Sequence, residues 1–127
     1  MKDQDKILNE AESYTRMVTN SFAKKKFDNK FLLNLVTMSL EKYMVAYLMS
    51  KNNLPNGHTL SFLSNEVAKY TTLPLRDMEL MQTLDEKIQL CALEHVAPYH
   101  PDDKEMEDIL QTLNSVQSLV KEAIKTD

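Results

Sequence analysis

The chain has 127 residues, 43% of them apolar and 27% charged, with a formal net charge of −4. That suits one domain, 1–127, with enough apolar side chains for a core, and argues against a constitutive nucleic-acid binder, so no DNA partner is expected. One glycine, four prolines and one cysteine exclude a turn-rich β-protein, an intramolecular disulfide and a cysteine zinc cage. No apolar run approaches the ~20 residues of a membrane span, and the start, MKDQDKILNE, has no apolar signal core. A cytoplasmic protein with no membrane partner is the expectation. The charge is unevenly spread: residues 1–57 balance at +3 and residues 58–127 at −7, so the first half can hold an anion locally.

The first helix is expected from about Asp5 to Phe22, where Ile7, Ala11, Tyr14, Val18 and Phe22 line one face. AKKKFDNK follows as a basic connector. The second helix, about Asp28 to Lys51, is the most apolar and should be central. Lys30, Asn34, Thr37 and Glu41 form its narrow solvent stripe, which continues as apolar Val45 and Leu48. That continuation needs cover from another helix or a partner.

NNLPNGHTL ends the second helix, with Gly57 expected to supply a positive φ. His58 or Thr59 then caps a third helix, about 59–70, whose Leu60, Leu63 and Val67 share a face. Pro74 suits the first turn of a fourth helix reaching about Val96. Its stripe, Met81, Leu84, Ile88, Cys91 and His95, puts His95 on the apolar face. A fifth helix begins after Pro101. Asp102 and Glu105 have capping-box spacing, and Met106, Ile109, Leu113, Val116, Val120 and Ala123 form the stripe. The fold expected is all-α, an up-and-down bundle of four to five helices.

Chemistry concentrates in EHVAPYHPDD, residues 94–103. His95 can act as base or ligand at a cleft, but its helical phase favours a packed core histidine. His100 with Asp102 and Asp103 is a short, common metal-like spacing, and Asp102 already serves as a cap. The flanking prolines and the cap favour a plain helix-to-helix joint. Lys24, Lys25 and Lys26, with Lys30, can contact phosphate, although a solvated connector explains them as well. Cys91 sits on the core stripe, where a thiol is inert. A single glycine cannot build a phosphate-cradling loop, and no nucleophile elbow is present. No metal site and no cofactor are expected.

The run SLEKYMVAYLMSKNNLPNGHTLSFL, residues 39–63, resembles the HEPN (higher eukaryotes and prokaryotes nucleotide-binding) domain family. Ser39, Glu41-Lys42, Ala46 with Leu48, and His58-Thr59-Leu60 carry the likeness. APYHPDD stands where many members have Arg-Tyr-Pro near a helix end. The resemblance spans roughly residues 7–125. It implies a helical bundle that commonly dimerises. It also implies either a nucleotide-binding partner of a minimal nucleotidyltransferase or a ribonuclease of a toxin–antitoxin or defence system.

The nuclease branch carries Arg, four to six residues, then His. No arginine stands at that distance before His58, His95 or His100, and the chain's arginines are Arg16 and Arg76 alone. The joint also lacks the arginine of Arg-Tyr-Pro. The expectation is therefore a non-catalytic, homodimeric HEPN-like subunit with no catalytic residues. It would take a nucleotide or other phosphate-bearing ligand near His95, Tyr99 and His100, with Lys24, Lys25 and Lys26 as phosphate contacts. The alternative is a ribonuclease using His95 or His100, with a lysine or Arg76 in place of the missing arginine.

Overall fold

The computed structural model describes residues 2–94 and 99–126. These form five helices, α1 (Lys2–Lys24), α2 (Asn29–Ser50), α3 (Leu60–Val67), α4 (Leu75–Glu94) and α5 (Asp103–Thr126). No strand occurs among the described residues. The protein is an all-α bundle.

α2 packs against α1, α3 and α5, and α4 against α3 and α5. The reason lies in the composition of α2, whose Leu32, Val36, Leu40, Tyr43, Met44, Tyr47 and Leu48 are all buried. With apolar residues on nearly every side, such a helix is stable only when surrounded. Truncating Leu40 or Leu113, both fully buried, would cost about 2–5 kcal/mol.

Leu48, expected to need cover, is fully buried within the chain itself. The solvent stripe of α2 is less polar than the sequence implies. Phe31 (43% exposed) and Met38 (40%) stand on it beside Lys30 and Asn34. On α1 the buried residues are Ala11, Thr15, Val18 and Ser21, while Ile7, Tyr14 and Phe22 are half-buried. The core-facing line is thus rotated slightly from the apolar stripe, toward Thr15.

Local signals set the helix boundaries. Asp28 caps α2 by accepting from the Phe31 N–H at 2.9 Å, and Thr59, rather than His58, caps α3 by accepting from the Phe62 N–H at 3.1 Å. α3 has a second cap from a distance. The Asp85 carboxylate of α4 accepts from the Leu60 and Ser61 N–H groups at 3.2 and 2.6 Å. The capping box on α5 is reciprocal: Glu105 N–H donates to Asp102 and Asp102 N–H donates to Glu105, at 2.8 and 3.0 Å. Pro74 directly precedes α4, and its carbonyl accepts from the Asp77 and Met78 N–H groups.

Gly57 does not take a positive φ. The left-handed positions are Lys25 (φ 55°) and Asn52 (φ 58°), which end α1 and α2. Glycine at 57 serves close approach instead, because a Cβ there would lie 2.9 Å from the Phe62 ring. On α5, Met106, Ile109, Leu113, Val116 and Val120 are all buried, as their spacing implies. On α4 the stripe holds for Met81 and Leu84 and then leaves the core, with Ile88 44% exposed. His95 lies outside the described residues, as does the Cys91 side chain.

Candidate functional site

Two groups of sequence-predicted residues meet at one end of the bundle. Lys25, in the turn between α1 and α2, places Nζ 2.6 Å from Asp103 Oδ2 at the start of α5. Asn29 Nδ2 donates to Asp103 Oδ1 and to the Pro101 carbonyl, at 2.9 and 3.0 Å. The basic turn and the segment carrying His100 are therefore fastened together. Lys25 and Asn29 hold the Asp103 carboxyl below its ordinary value. Lys24, Lys26 and His100 are exposed around this clamp.

Tyr99 belongs to a second contact at the same joint. Its hydroxyl donates to Glu105 Oε2 at 2.8 Å, and Lys87 Nζ lies 4.4 Å from the ring centroid and 3.5 Å from Glu105 Oε2. The Asp102 N–H, then the Tyr99 hydroxyl and Lys87, hold Glu105 below its ordinary value. Burial and the Glu105 bond push Tyr99 up, so it stays a donor. Of the predicted site residues, Lys25 and Tyr99 thus have structural partners, while Lys24, Lys26 and His100 remain open to solvent.

A second polar centre, not foreseen from the sequence, joins α1, α2 and α5. Glu12 accepts from the Tyr43 hydroxyl and from Gln117 Nε2, both at 2.6 Å, and pairs with Lys121 at 2.7 Å. Tyr43 Oη lies 3.0 Å from Thr15 Oγ1, which lies 2.6 Å from Ser39 Oγ. Both smaller hydroxyls reach the Ala11 carbonyl, at 2.9 and 2.8 Å. Burial raises Glu12 most strongly, but Lys121, Tyr43 and Gln117 together outweigh it and leave the carboxyl below its ordinary value. Burial and Glu12 push Tyr43 up. A satisfied buried network of this kind fixes the register of three helices.

The residues that carry the family resemblance have identifiable work in this frame. Ser39 enters the network, Lys42 pairs with Glu10 at 2.9 Å, and Ala46, Leu48 and Leu60 are buried. Thr59 caps α3. Glu41 and His58 form an exposed pair, Oε2 to Nδ1 at 2.9 Å, on a groove of about 310 Å³ shared with Ile7, Met38 and Val45. A further carboxylate, Asp77, is buried and accepts from Thr112 and Ser115 of α5 at 2.8 and 2.6 Å. Among the described residues, no three His, Cys, Asp or Glu side chains are placed to hold a metal ion. Nor is any described helix long and apolar enough to cross a membrane.

No protein-family model and no curated protein sequence matches the chain. Two solved structures share its architecture. One is TT1696 from Thermus thermophilus, at 16% identity over 97% of this chain and 99% of that one, with a TM-score of 0.74. The other is ST0689, described as an archaeal HEPN homologue, at 14% identity over 95% and 97% of the two chains, with a TM-score of 0.72. At these identities the likeness is one of fold. The bundle of α1 to α5 is HEPN-like, as the run around Ser39–Leu63 implies.

Proposed function

We propose that the chain is a non-catalytic, HEPN-like binding or partner subunit, taking a nucleotide or another phosphate-bearing ligand and working beside a minimal nucleotidyltransferase. The observation that carries this reading is the state of Arg76, the arginine a ribonuclease would have to recruit. Its guanidinium donates to Gln111 Oε1 at 2.9 Å and to Asp77 Oδ1 at 3.2 Å, with Asp108 at 3.9 Å. A cation hydrogen-bonded to two acceptors, with a further carboxylate nearby, is poorly disposed to stabilise a phosphodiester transition state. Arg16 lies exposed on α1. Calorimetry against a nucleotide panel, run beside an RNA-cleavage assay, tests the reading. Saturable heat without cleavage is the expected result, and RNA cleavage lost in His100→Ala would replace the proposal with the ribonuclease.

A homodimer is the assembly proposed with it. Phe31, Met38 and Val45 recur at intervals of seven on α2, with Phe31 and Met38 partly exposed, Val45 half-buried, and Phe27 against the Phe31 ring at 4.9 Å between centroids. This row is self-complementary about Met38 in an antiparallel pairing of two α2 helices, as a two-fold interface requires. Light scattering should give twice the chain mass for the wild type and the single-chain mass for Met38→Glu. A monomeric wild type at micromolar concentration would remove the dimer from the proposal.

A further inference from the structure

α1 and α5 lie on the same central helix and are bridged by Glu12, Gln117 and Lys121 rather than by close backbone packing. Beside the bridge, their ends leave an open groove of about 540 Å³. Its walls include Leu8 of α1 and Ile124 of α5, both half-buried against the core. Its polar lining is Gln117, Ser118, Lys121, Glu122 and Lys125. The volume falls in the ~300–1,000 Å³ range of small-ligand sites, and apolar walls with few convergent polar groups are their usual lining.

The polar groups match one ligand chemistry. Lys121 and Lys125 are four residues apart and so share a helix face. Lys121 gives one N–H to Glu12 and retains two. Lys125 has no ion pair among the described residues. Gln117 gives its Nε2 to Glu12, which leaves its amide oxygen as an acceptor. The Lys125 ammonium and the two N–H donors that Lys121 retains beside its Glu12 pair suit a phosphate, the amide oxygen suits a hydroxyl or ring N–H, and Leu8 and Ile124 offer apolar walls to a flat ring. The Glu12 charge beneath is already answered by Tyr43, Gln117 and Lys121. Glu122 opposes an anion, which gives the idea a test with a sign.

We propose that this α1–α5 groove binds a phosphomonoester with a flat ring system, the nucleoside monophosphate class. The phosphate would lie on Lys121 and Lys125 and the ring between Leu8 and Ile124. This rests on the phosphate-ligand reading above but moves the site away from the Lys24–Lys26 turn and His100. Calorimetry with adenosine and uridine monophosphates tests it, using the wild type, Lys125→Ala, Glu122→Gln and the double variant Lys26→Ala/His100→Ala. Circular dichroism checks that each is folded. Lys125→Ala should weaken binding by roughly tenfold, the size of one charge-assisted contact. Glu122→Gln should tighten it several-fold, which a merely structural role would not do, and the double variant should bind as the wild type does. Loss of binding in the double variant with none in Lys125→Ala would overturn the groove and keep the ligand reading. Absence of binding by the wild type to either nucleotide at millimolar concentration would overturn both.

Discussion

The bundle uses the same three side chains twice. Glu12 accepts the Tyr43 hydroxyl and pairs with Lys121, while Glu105 accepts the Tyr99 hydroxyl and sits near Lys87. The first set is drawn from three helices, with Tyr43 wholly buried. The second joins Lys87 of α4 to Tyr99 and Glu105 at the α4–α5 joint and is half open to water, with the Glu105 side chain 40% exposed. Burial makes an unmade hydrogen bond expensive, whereas water can replace one at the surface. The inner set therefore holds α1, α2 and α5 in register, and the outer set mainly starts α5.

The largest expected effect comes from breaking the inner set. Glu12→Ala leaves the Tyr43 hydroxyl and Gln117 amide without their acceptor and should lower the unfolding free energy by about 2 kcal/mol in urea denaturation. Glu105→Ala removes the acceptor of the Tyr99 hydroxyl and of the Asp102 N–H in the outer set and should cost about 1 kcal/mol in the same measurement. If the outer change proved the more damaging, the contrast between the two sets would be wrong.

Acid should sharpen the contrast further. Glu12 and Glu105 both have folded-state values below the ordinary 4.5. The stability they contribute is therefore present above that pH and drains away as pH falls through their folded values. Between about pH 5 and pH 3, Glu12→Gln should flatten the decline of the denaturation midpoint. An unchanged slope would show that Glu12 is not held ionised by its partners. The smallest effect belongs to Lys25→Ala, which removes an exposed pair with Asp103. It should leave the midpoint within measurement error, and added salt should not widen the difference.

The outer set was partly legible in the sequence. Asp102 and Glu105 stand three residues apart, and a capping box depends on that spacing alone. The buried stripe of α5 and the Thr59 cap follow from local rules in the same way. The inner set had no such signal, since Glu12 and Tyr43 are 31 residues apart and Glu12 and Gln117 are 105 apart. No helical period links them. A hint was available in the deep apolar setting of Tyr43, whose hydroxyl had to find a partner. The Asp85 cap on α3 was hidden for the same reason. Lys25 read as one of three equivalent lysines, and only the fold distinguishes it, through Asp103. Gly57 departs from the expected positive φ because glycine answers two needs, a positive φ or a missing Cβ, and sequence does not separate them.

The groove beside the inner set is the central claim about function, and chemical-shift mapping tests it most directly. Adding adenosine monophosphate to the ¹⁵N-labelled protein should shift the amides of Leu8, Gln117 and Lys121 through Lys125, while Lys24, Lys26 and His100 stay still. Shifts confined to Lys24–Lys26 and His100 would contradict the account and return the ligand to the joint.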